Sequence, residues 1–298
     1  MAERMRVVVS GASGLIGTAL CASLEHDGHA VTRLVRREAR TGESRWDPAA
    51  GRIEPAAIEG ADAVVHLAGA GIGDRRWTEG YKREILESRT RSTGVLACAI
   101  AGASRKPSVF VSGSAIGWYG PRGDERLGES ASRGDGFLAD VCERWEAAAS
   151  GAGVRTVLLR TGIVLSPRGG ALAKQLPLFR LGLGGRFGNG RQWQSWIDVD
   201  DEVRAIRHAI DSRLEGPVNL TAPAPVTGGE FARTLARVLR RPALLPIPAF
   251  GPRLLLGREL ADALLFTGQR VLPEALLASG FAFAYPTLEA SLRHLLDR

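Results

Sequence analysis

The chain has 298 residues, 45% of them hydrophobic, enough for one α/β domain with a smaller appended piece and a substantial core. No stretch stays apolar for the roughly 18 residues that a membrane helix requires, and Met1 to Arg6 has no apolar signal region, so a cytoplasmic protein is expected. The net charge of +7 comes almost wholly from arginine, scattered and not interleaved with aromatics, which points away from nucleic acid and towards an anionic small ligand.

Val7 to Val9, then glycines at 11, 14 and 17, then Thr18 to Leu24 with apolar residues at helical spacing, read as a strand, a tight turn and a helix start. This is a phosphate cradle. Gly11 permits the turn, Gly14 lets backbone approach a pyrophosphate, and Gly17 lets the helix press on the strand, while the helix N-terminus offers unpaired N–H groups to an anion. Ser13, Leu15 and Ile16 lie within the same turn.

Ala30 to Val35 is a second strand, and it ends in Arg36 and Arg37 with no acidic residue between Gly28 and Arg37. At this place in a dinucleotide fold an acid binds the free ribose 2′-hydroxyl, whereas arginine accommodates a 2′-phosphate. NADP(H) is therefore expected in preference to NAD(H). Trp46, Asp47, Pro48 and Gly51 mark a turn, and Ala63 to Leu67 is a third strand running into Ala68, Gly69, Ala70 and Gly71. Small residues at a strand's carboxyl end let a ligand approach closely.

A long helix follows from about Trp77 to Ala101, with Glu84 and Arg89 as candidates to face the cofactor. Val109 to Ser112 is the next strand, leading into Gly113, Ser114 and, shortly after, Tyr119. A helix over about Gly136 to Ala149 and a strand over Arg155 to Arg160 continue the alternation, which implies a parallel sheet with helices on both faces. From Leu165 to Trp196 the chain turns glycine-rich and reads as a long substrate-side loop, with Arg191, Gln192 and Trp193 as its candidate substrate wall.

Ile197 to Asp201 opens a helix reaching about Ser212, and Val218 to Leu220 is a late strand. The remainder reads as helices over Glu230 to Leu239, Arg253 to Phe266, Glu274 to Ala278 and from about Thr287. Leu288, Leu292, Leu295 and Leu296 form a packing stripe on the last of these. The expected fold is thus α/β, a Rossmann-type doubly wound parallel sheet over residues 1–220, with a smaller, mostly helical, substrate-side region over 221–298. Cys21, Cys98 and Cys142 lack metal or disulfide spacing and read as buried apolar groups; no metal site is expected, and His66, inside a strand, reads as structural.

Taken together the pieces resemble the extended short-chain dehydrogenase/reductases, and more closely an atypical epimerase-like family labelled nucleoside-diphosphate-sugar epimerase or cell-division-inhibitor-like. The resemblance rests on Gly11-Ala-Ser-Gly-Leu-Ile-Gly17, Trp46-Asp-Pro, Leu67-Ala-Gly69, Glu84 with Ser88-Arg89 and Ser112-Gly-Ser-Ala115. It continues through Trp145-Glu-Ala, Gly169-Gly-Ala-Leu172, Gln192-Trp-Gln-Ser-Trp196 and Asn219-Leu-Thr-Ala-Pro223. Residues from about 248 to 296 are similar to that family's C-terminal domain of unknown function. The resemblance implies NADP(H) held by Gly11 to Gly17, Arg36, Leu67 with Ala68 and Gly69, Glu84 with Arg89, and Ser112. It also implies a small-molecule or nucleotide-sugar substrate and a homodimer formed through surface helices.

Extended members of the superfamily use a Tyr and a Lys four residues later on the helix after the Ser-bearing strand, the Lys lowering the Tyr pKa for proton transfer. That pair is absent. The tyrosines are Tyr81, Tyr119 and Tyr285, no lysine lies between Lys106 and Lys174, and Phe137 and Leu138 stand near the tyrosine position. Ser114 occupies the place of the substrate-side serine. Tyr119 is either a substitute proton donor or a residue that orients the ligand. Two functions follow: an NADP(H)-dependent epimerase or oxidoreductase, or a non-catalytic NADP(H)-binding sensor.

Overall fold

The computed structural model describes residues 4–243 and 246–298. The first part of the chain alternates strand and helix: β1 (Arg6–Ser10), α1 (Leu15–His26), β2 (Ala30–Val35), β3 (Glu43–Asp47), β4 (Arg52–Ile53), α2 (Pro55–Ile58), β5 (Ala63–His66) and α3 (Glu79–Gly102). It continues with β6 (Val109–Ala115), β7 (Arg126–Leu127), α4 (Phe137–Ala149), β8 (Arg155–Thr161), β9 (Ile163–Leu165), α5 (Gly170–Arg180), β10 (Trp193–Gln194), β11 (Trp196–Asp198), α6 (Val199–Asp211) and β12 (Gly216–Leu220). The end of the chain holds β13 (Val226–Thr227), α7 (Gly228–Leu239), α8 (Phe250–Leu256), α9 (Arg258–Ala261), a π-helical turn over Asp262–Phe266, β14 (Arg270–Val271), α10 (Glu274–Ala278) and α11 (Leu288–Leu295).

Eight strands form the main sheet in the order β12-β8-β6-β5-β1-β2-β3-β4, parallel except where β4 folds back on β3. Its central strands β1 and β5 are buried on both faces because helices cover both. Val7 and Val9 pack with Leu20 and Leu24 of α1 and Ile206 of α6, whereas Val8 points the other way, among Ile58, Leu96 and Ile100. Two cores thus arise from the period-2 alternation of a single strand. Strand β1 lies between β2 and β5, so the chain departs from it in opposite directions and leaves a crevice at its carboxyl end, where parallel sheets bind ligands.

A third core joins α5, α7 and α11 through Leu172, Phe179, Phe231, Leu235, Leu288 and Leu292. The last two residues belong to the leucine stripe expected from the sequence. Helix α7 begins with a full capping box: Thr227 accepts from the Glu230 N–H, and the Glu230 carboxylate accepts from the Thr227 N–H.

Four expectations are corrected. Residues 165–196 are not one long loop: they end β9 and carry α5 and β10, with an irregular stretch at 181–192. Helix α5 forms because Leu172, Leu176 and Phe179 recur at helical spacing and are buried, a signal that the surrounding glycines masked. The turn expected at Trp46, Asp47, Pro48 and Gly51 lies between β3 and β4, but it starts later: Trp46 and Asp47 close β3, and Pro48–Ala50 with Gly51 make the reversal. Gly257, at φ +87°, breaks the expected helix over 253–266 into α8, α9 and the π-helical turn. Cys98 is exposed on α3, while Cys21 and Cys142 are buried as expected; Ala97 and Ile100 take the core-facing positions of that turn.

Candidate functional site

The turn between β1 and α1 is built by close backbone approach. Gly11 sits at φ +71°, and the Gly14 N–H donates to its carbonyl over 3.0 Å. A Cβ on Gly11 would lie 2.7 Å from the Leu67 carbonyl carbon, so a side chain there would push β5 away. A Cβ on Gly17 would lie 2.2 Å from the Gly11 oxygen, which is why the helix can rest on the turn only with glycine there. Helix α1 opens at Gly14 with no side-chain cap, leaving first-turn N–H groups for an anion.

This turn floors a cleft of about 1090 Å³. Gly11, Ser13, Gly14, Arg36, Arg37, Leu67, Ala68, Gly69 and Glu84, all singled out from the sequence, line it. Leu15, Ile16 and Gly17 lie behind the turn and not on its wall. Of the opposite wall, one face of α3, the sequence reading assigned only Glu84 to the cleft and missed Gly80, Arg83, Glu87 and Arg91, while Ser88 and the Trp46-Asp-Pro rim were quoted only as marks of a turn or of the resemblance. The spacing of three and four along α3 was the signal for that face.

The arginines after β2 are not equivalent. Arg37 grips Glu43 with two bonds of 2.7 and 2.6 Å, and this pair holds the Glu43 carboxyl down at about 2. Arg33 is paired with Glu25 at 2.7 Å. Arg36 has no ion pair among the described residues. Arg89 lies behind the cleft wall: its guanidinium carbon would be 3.2 Å from a Cβ on Gly69, and it stacks over Trp145 at 5.0 Å. One of its nitrogens donates to the Ile85 carbonyl, it has no carboxylate partner among the described residues, and burial lowers its pKa.

His66 is structural, as read. Its ring nitrogens meet Ser10 Oγ at 2.6 Å and Ser92 Oγ at 3.0 Å, and complete burial pushes its pKa down to about 3, so it stays neutral.

Beyond the cleft, where β6 ends, lies a buried polar chain. Ser114 Oγ donates to Glu146 Oε1 over 2.6 Å, and Arg160 holds both oxygens of that carboxylate at 2.8 and 2.9 Å. Arg160 also donates to the Tyr119 hydroxyl at 3.1 Å, and that hydroxyl donates to Asn219 Oδ1 at 2.7 Å. Tyr119 is 0% exposed, and the side chains of Arg160 and Glu146 are 4% and 8% exposed. Burial raises the Tyr119 pKa against the opposing pull of Arg160, so its phenol is neutral with both directions of hydrogen bonding filled. Trp118 covers Arg160 at 4.0 Å.

Helix α4 presents Leu138 against Gly117 and, four residues on, Cys142, whose thiol burial pushes up to about 12. Neither side chain moves protons near neutral pH. Sequence reasoning named Ser114 and Tyr119 but missed Glu146, Arg160 and the role of Asn219; Glu146 and Asn219 lay inside motifs already quoted. Ser112 is fully buried within β6.

The expected substrate wall is tied down from elsewhere. Gln192 Nε2 donates to the Leu265 carbonyl at 2.8 Å, fastening the loop to the π-helical turn. Trp193 Nε1 donates to Asp124 at 2.7 Å, and Arg270 lies over its ring at 4.3 Å. Arg191 is exposed and does not line the cleft.

A doubly wound parallel sheet with a glycine turn and an arginine-rich crevice at its switch point defines a dinucleotide-binding protein of the short-chain dehydrogenase/reductase type. The model of the NAD dependent epimerase/dehydratase family matches residues 7–220, more than half of the chain, and a domain of unknown function (DUF1731) matches residues 247–295. The chain belongs to this epimerase/dehydratase family. It is similar to epimerase family protein Mb2239 of Mycobacterium bovis, 45% identical over 297 residues that cover 98% of each chain. It is also similar to the crystal structure of human epimerase family protein SDR39U1 (isoform2) with NADPH, at TM-score 0.91 and 37% identity, covering 99% of this chain and 100% of that one. MoeE5 in complex with UDP-glucose and NAD, at 21% identity and TM-score 0.77 over 98% of this chain and 97% of that one, shares the fold. No described helix is long and apolar enough to cross a membrane.

Proposed function

We propose that this protein binds NADP(H), in preference to NAD(H), and performs an epimerase- or oxidoreductase-type reaction on a small or nucleotide-linked substrate. The cradle fits the cofactor: the Gly11 turn has no room for a side chain, the first turn of α1 has no side-chain cap, and Arg36, without an ion pair among the described residues, stands where a 2′-phosphate would lie. NADPH in the human relative supports this choice. Bound there, the nicotinamide would accept or donate a hydride.

The observation that carries the reaction is the 2.6 Å contact of Ser114 with Glu146. With its own proton engaged on that carboxylate, Ser114 Oγ is left as an acceptor for a substrate hydroxyl. As the substrate proton reaches Ser114, the serine proton passes to Glu146, so a carboxylate serves where the family's phenolate is missing. Tyr119 positions Arg160, and through it Glu146. The free cysteines fit a reducing compartment, and a cytoplasmic location is part of this reading.

The second reading, a non-catalytic NADP(H) sensor, is favoured by Leu138 and Cys142 where proton-moving groups are expected. Calorimetric titration with NADPH and NADH, followed by a scan of carbonyl and sugar-nucleotide substrates, separates the two: binding with turnover supports the enzyme, and binding without turnover across the panel supports the sensor. Arg36→Asp is expected to weaken NADPH at least about tenfold more than NADH, since a charge-assisted bond contributes about 1.5 to 3 kcal/mol. Equal losses would sink the 2′-phosphate assignment.

A further inference from the structure

The walls of the cofactor cleft carry both signs of charge, and the ion pairs sort them. Its carboxylates are Glu43, Asp47, Glu84 and Glu87. Each has an arginine partner: Arg37 at 2.6 Å, Arg52 at 3.0 Å, Arg75 at 3.7 Å and Arg91 at 3.1 Å respectively. Of the arginines lining the cleft, Arg33 is held by Glu25, Arg37 by Glu43 and Arg91 by Glu87. Arg36 and Arg83 remain, with neither an ion pair nor a side-chain hydrogen bond among the described residues.

These two uncompensated cations stand on opposite walls. Arg36 follows β2, and Arg83 is on the second turn of α3, whose Gly80, one turn earlier on the same face, carries no side chain. We propose that Arg83 is a specificity-determining residue that, with Arg36, closes a two-sided clamp on the 2′-phosphate of the adenosine ribose. The proposal rests on the NADP(H) reading above and assigns it a second arginine, from a different element and 47 positions later in the chain (83 − 36). A phosphate monoester carries a charge of about −1.5 to −2 at neutral pH, which two guanidinium groups match and one does not. Neither arginine must give up a carboxylate to take it, so the clamp gains the full charge-assisted bond and not the difference between two partners.

The test titrates the full chain calorimetrically with adenosine 2′,5′-bisphosphate and AMP, and with NADPH and NADH, for the wild type, Arg36→Ala and Arg83→Ala. Arg83→Ala is expected to weaken adenosine 2′,5′-bisphosphate and NADPH at least about tenfold while changing AMP and NADH less than about twofold. Arg83→Lys should recover part of the loss, because the charge returns without the bidentate fork. If Arg36→Ala is selective for the 2′-phosphate ligands and Arg83→Ala is not, the clamp is wrong and the NADP(H) reading stands. If the wild type itself fails to distinguish adenosine 2′,5′-bisphosphate from AMP, both fall. Thermal unfolding of each variant without ligand should match the wild type, since both side chains are exposed; a matching loss of all four ligands would mean a fold defect and would overturn the assignment.

Discussion

The two ends of this site are made of different materials. The cofactor end is backbone: a glycine turn, an uncapped helix start and strand ends, open to solvent and lined by arginines that are mostly partnered by surface acids. The proposed reaction end is side chain: Ser114, Glu146, Arg160, Tyr119 and Asn219, drawn from β6 and the turn after it, α4, β8 and β12 and almost wholly removed from water. The fold of the first tolerates many side chains provided its glycines remain, whereas that of the second depends on every member, because a buried charge without its partner is costly. Binding and stability should therefore separate by region.

Arg160→Ala is the strongest test of that separation. It leaves the Glu146 carboxylate buried with Ser114 alone and removes the donor to Tyr119, so stability should fall by about 3 to 5 kcal/mol in denaturant unfolding. NADPH affinity at a temperature where the variant is folded should stay within about twofold; a parallel loss of affinity would show that the two ends are one unit. Gly17→Ala is the converse. Its methyl group would sit 2.2 Å from the Gly11 oxygen, forcing α1 off the turn, so NADPH affinity should drop about 100-fold, with overpacking adding about 1 to 3 kcal/mol of instability. Unchanged affinity would mean that the helix start does not hold the pyrophosphate.

The same division decides what could be read from the sequence. The cofactor end uses local signals: β2 spans Ala30–Val35 as its apolar run indicated, and Gly11, Gly14 and Gly17 fall within seven residues that make the turn and the first turn of α1. The reaction end joins residues far apart in the chain, Ser114 with Glu146 and Tyr119 with Asn219, 32 and 100 positions distant. Helical spacing puts Glu146 on the buried face of α4 with Cys142, Trp145 and Ala149, but it does not announce that the carboxylate there meets a serine on the adjacent strand. The corrected loop has a like cause. Its glycines are a strong local cue for irregular chain, and the burial of Leu172 and Phe179 that makes α5 a helix comes from α7 and α11, late in the sequence.

Burial beside the reaction end has a signature in pH. Glu202, on the first turn of α6, is fully buried; Thr161, next to Arg160 on β8, donates to one oxygen and the other has no partner among the described residues. Desolvation raises its pKa to about 8. Between the ordinary carboxylate value near 4.5 and 8, the native chain keeps a proton that the unfolded chain releases, so stability falls as pH rises through that window. Glu202→Gln should remove this dependence, raising stability at pH 8 relative to pH 5 by about 3 to 4 kcal/mol against the wild type. Parallel pH profiles for the two proteins would place Glu202 in water.

Tyr119→Phe is the finest probe of the contrast, because it deletes one oxygen and keeps the packing against Leu127 and Val271. Asn219 Oδ1 then loses its donor, and Arg160 Nη1 keeps only the Glu129 carbonyl at 3.3 Å, so stability should fall by about 1 to 2 kcal/mol. If the hydroxyl only positions Arg160, turnover in any active assay should fall by less than about tenfold and its pH profile should keep its shape, since the proposed proton path runs through Ser114 and Glu146. A variant that binds NADPH normally, unfolds like the wild type and yet loses turnover completely would make Tyr119 the proton donor. The buried chain would then be machinery around a phenol, not a carboxylate relay.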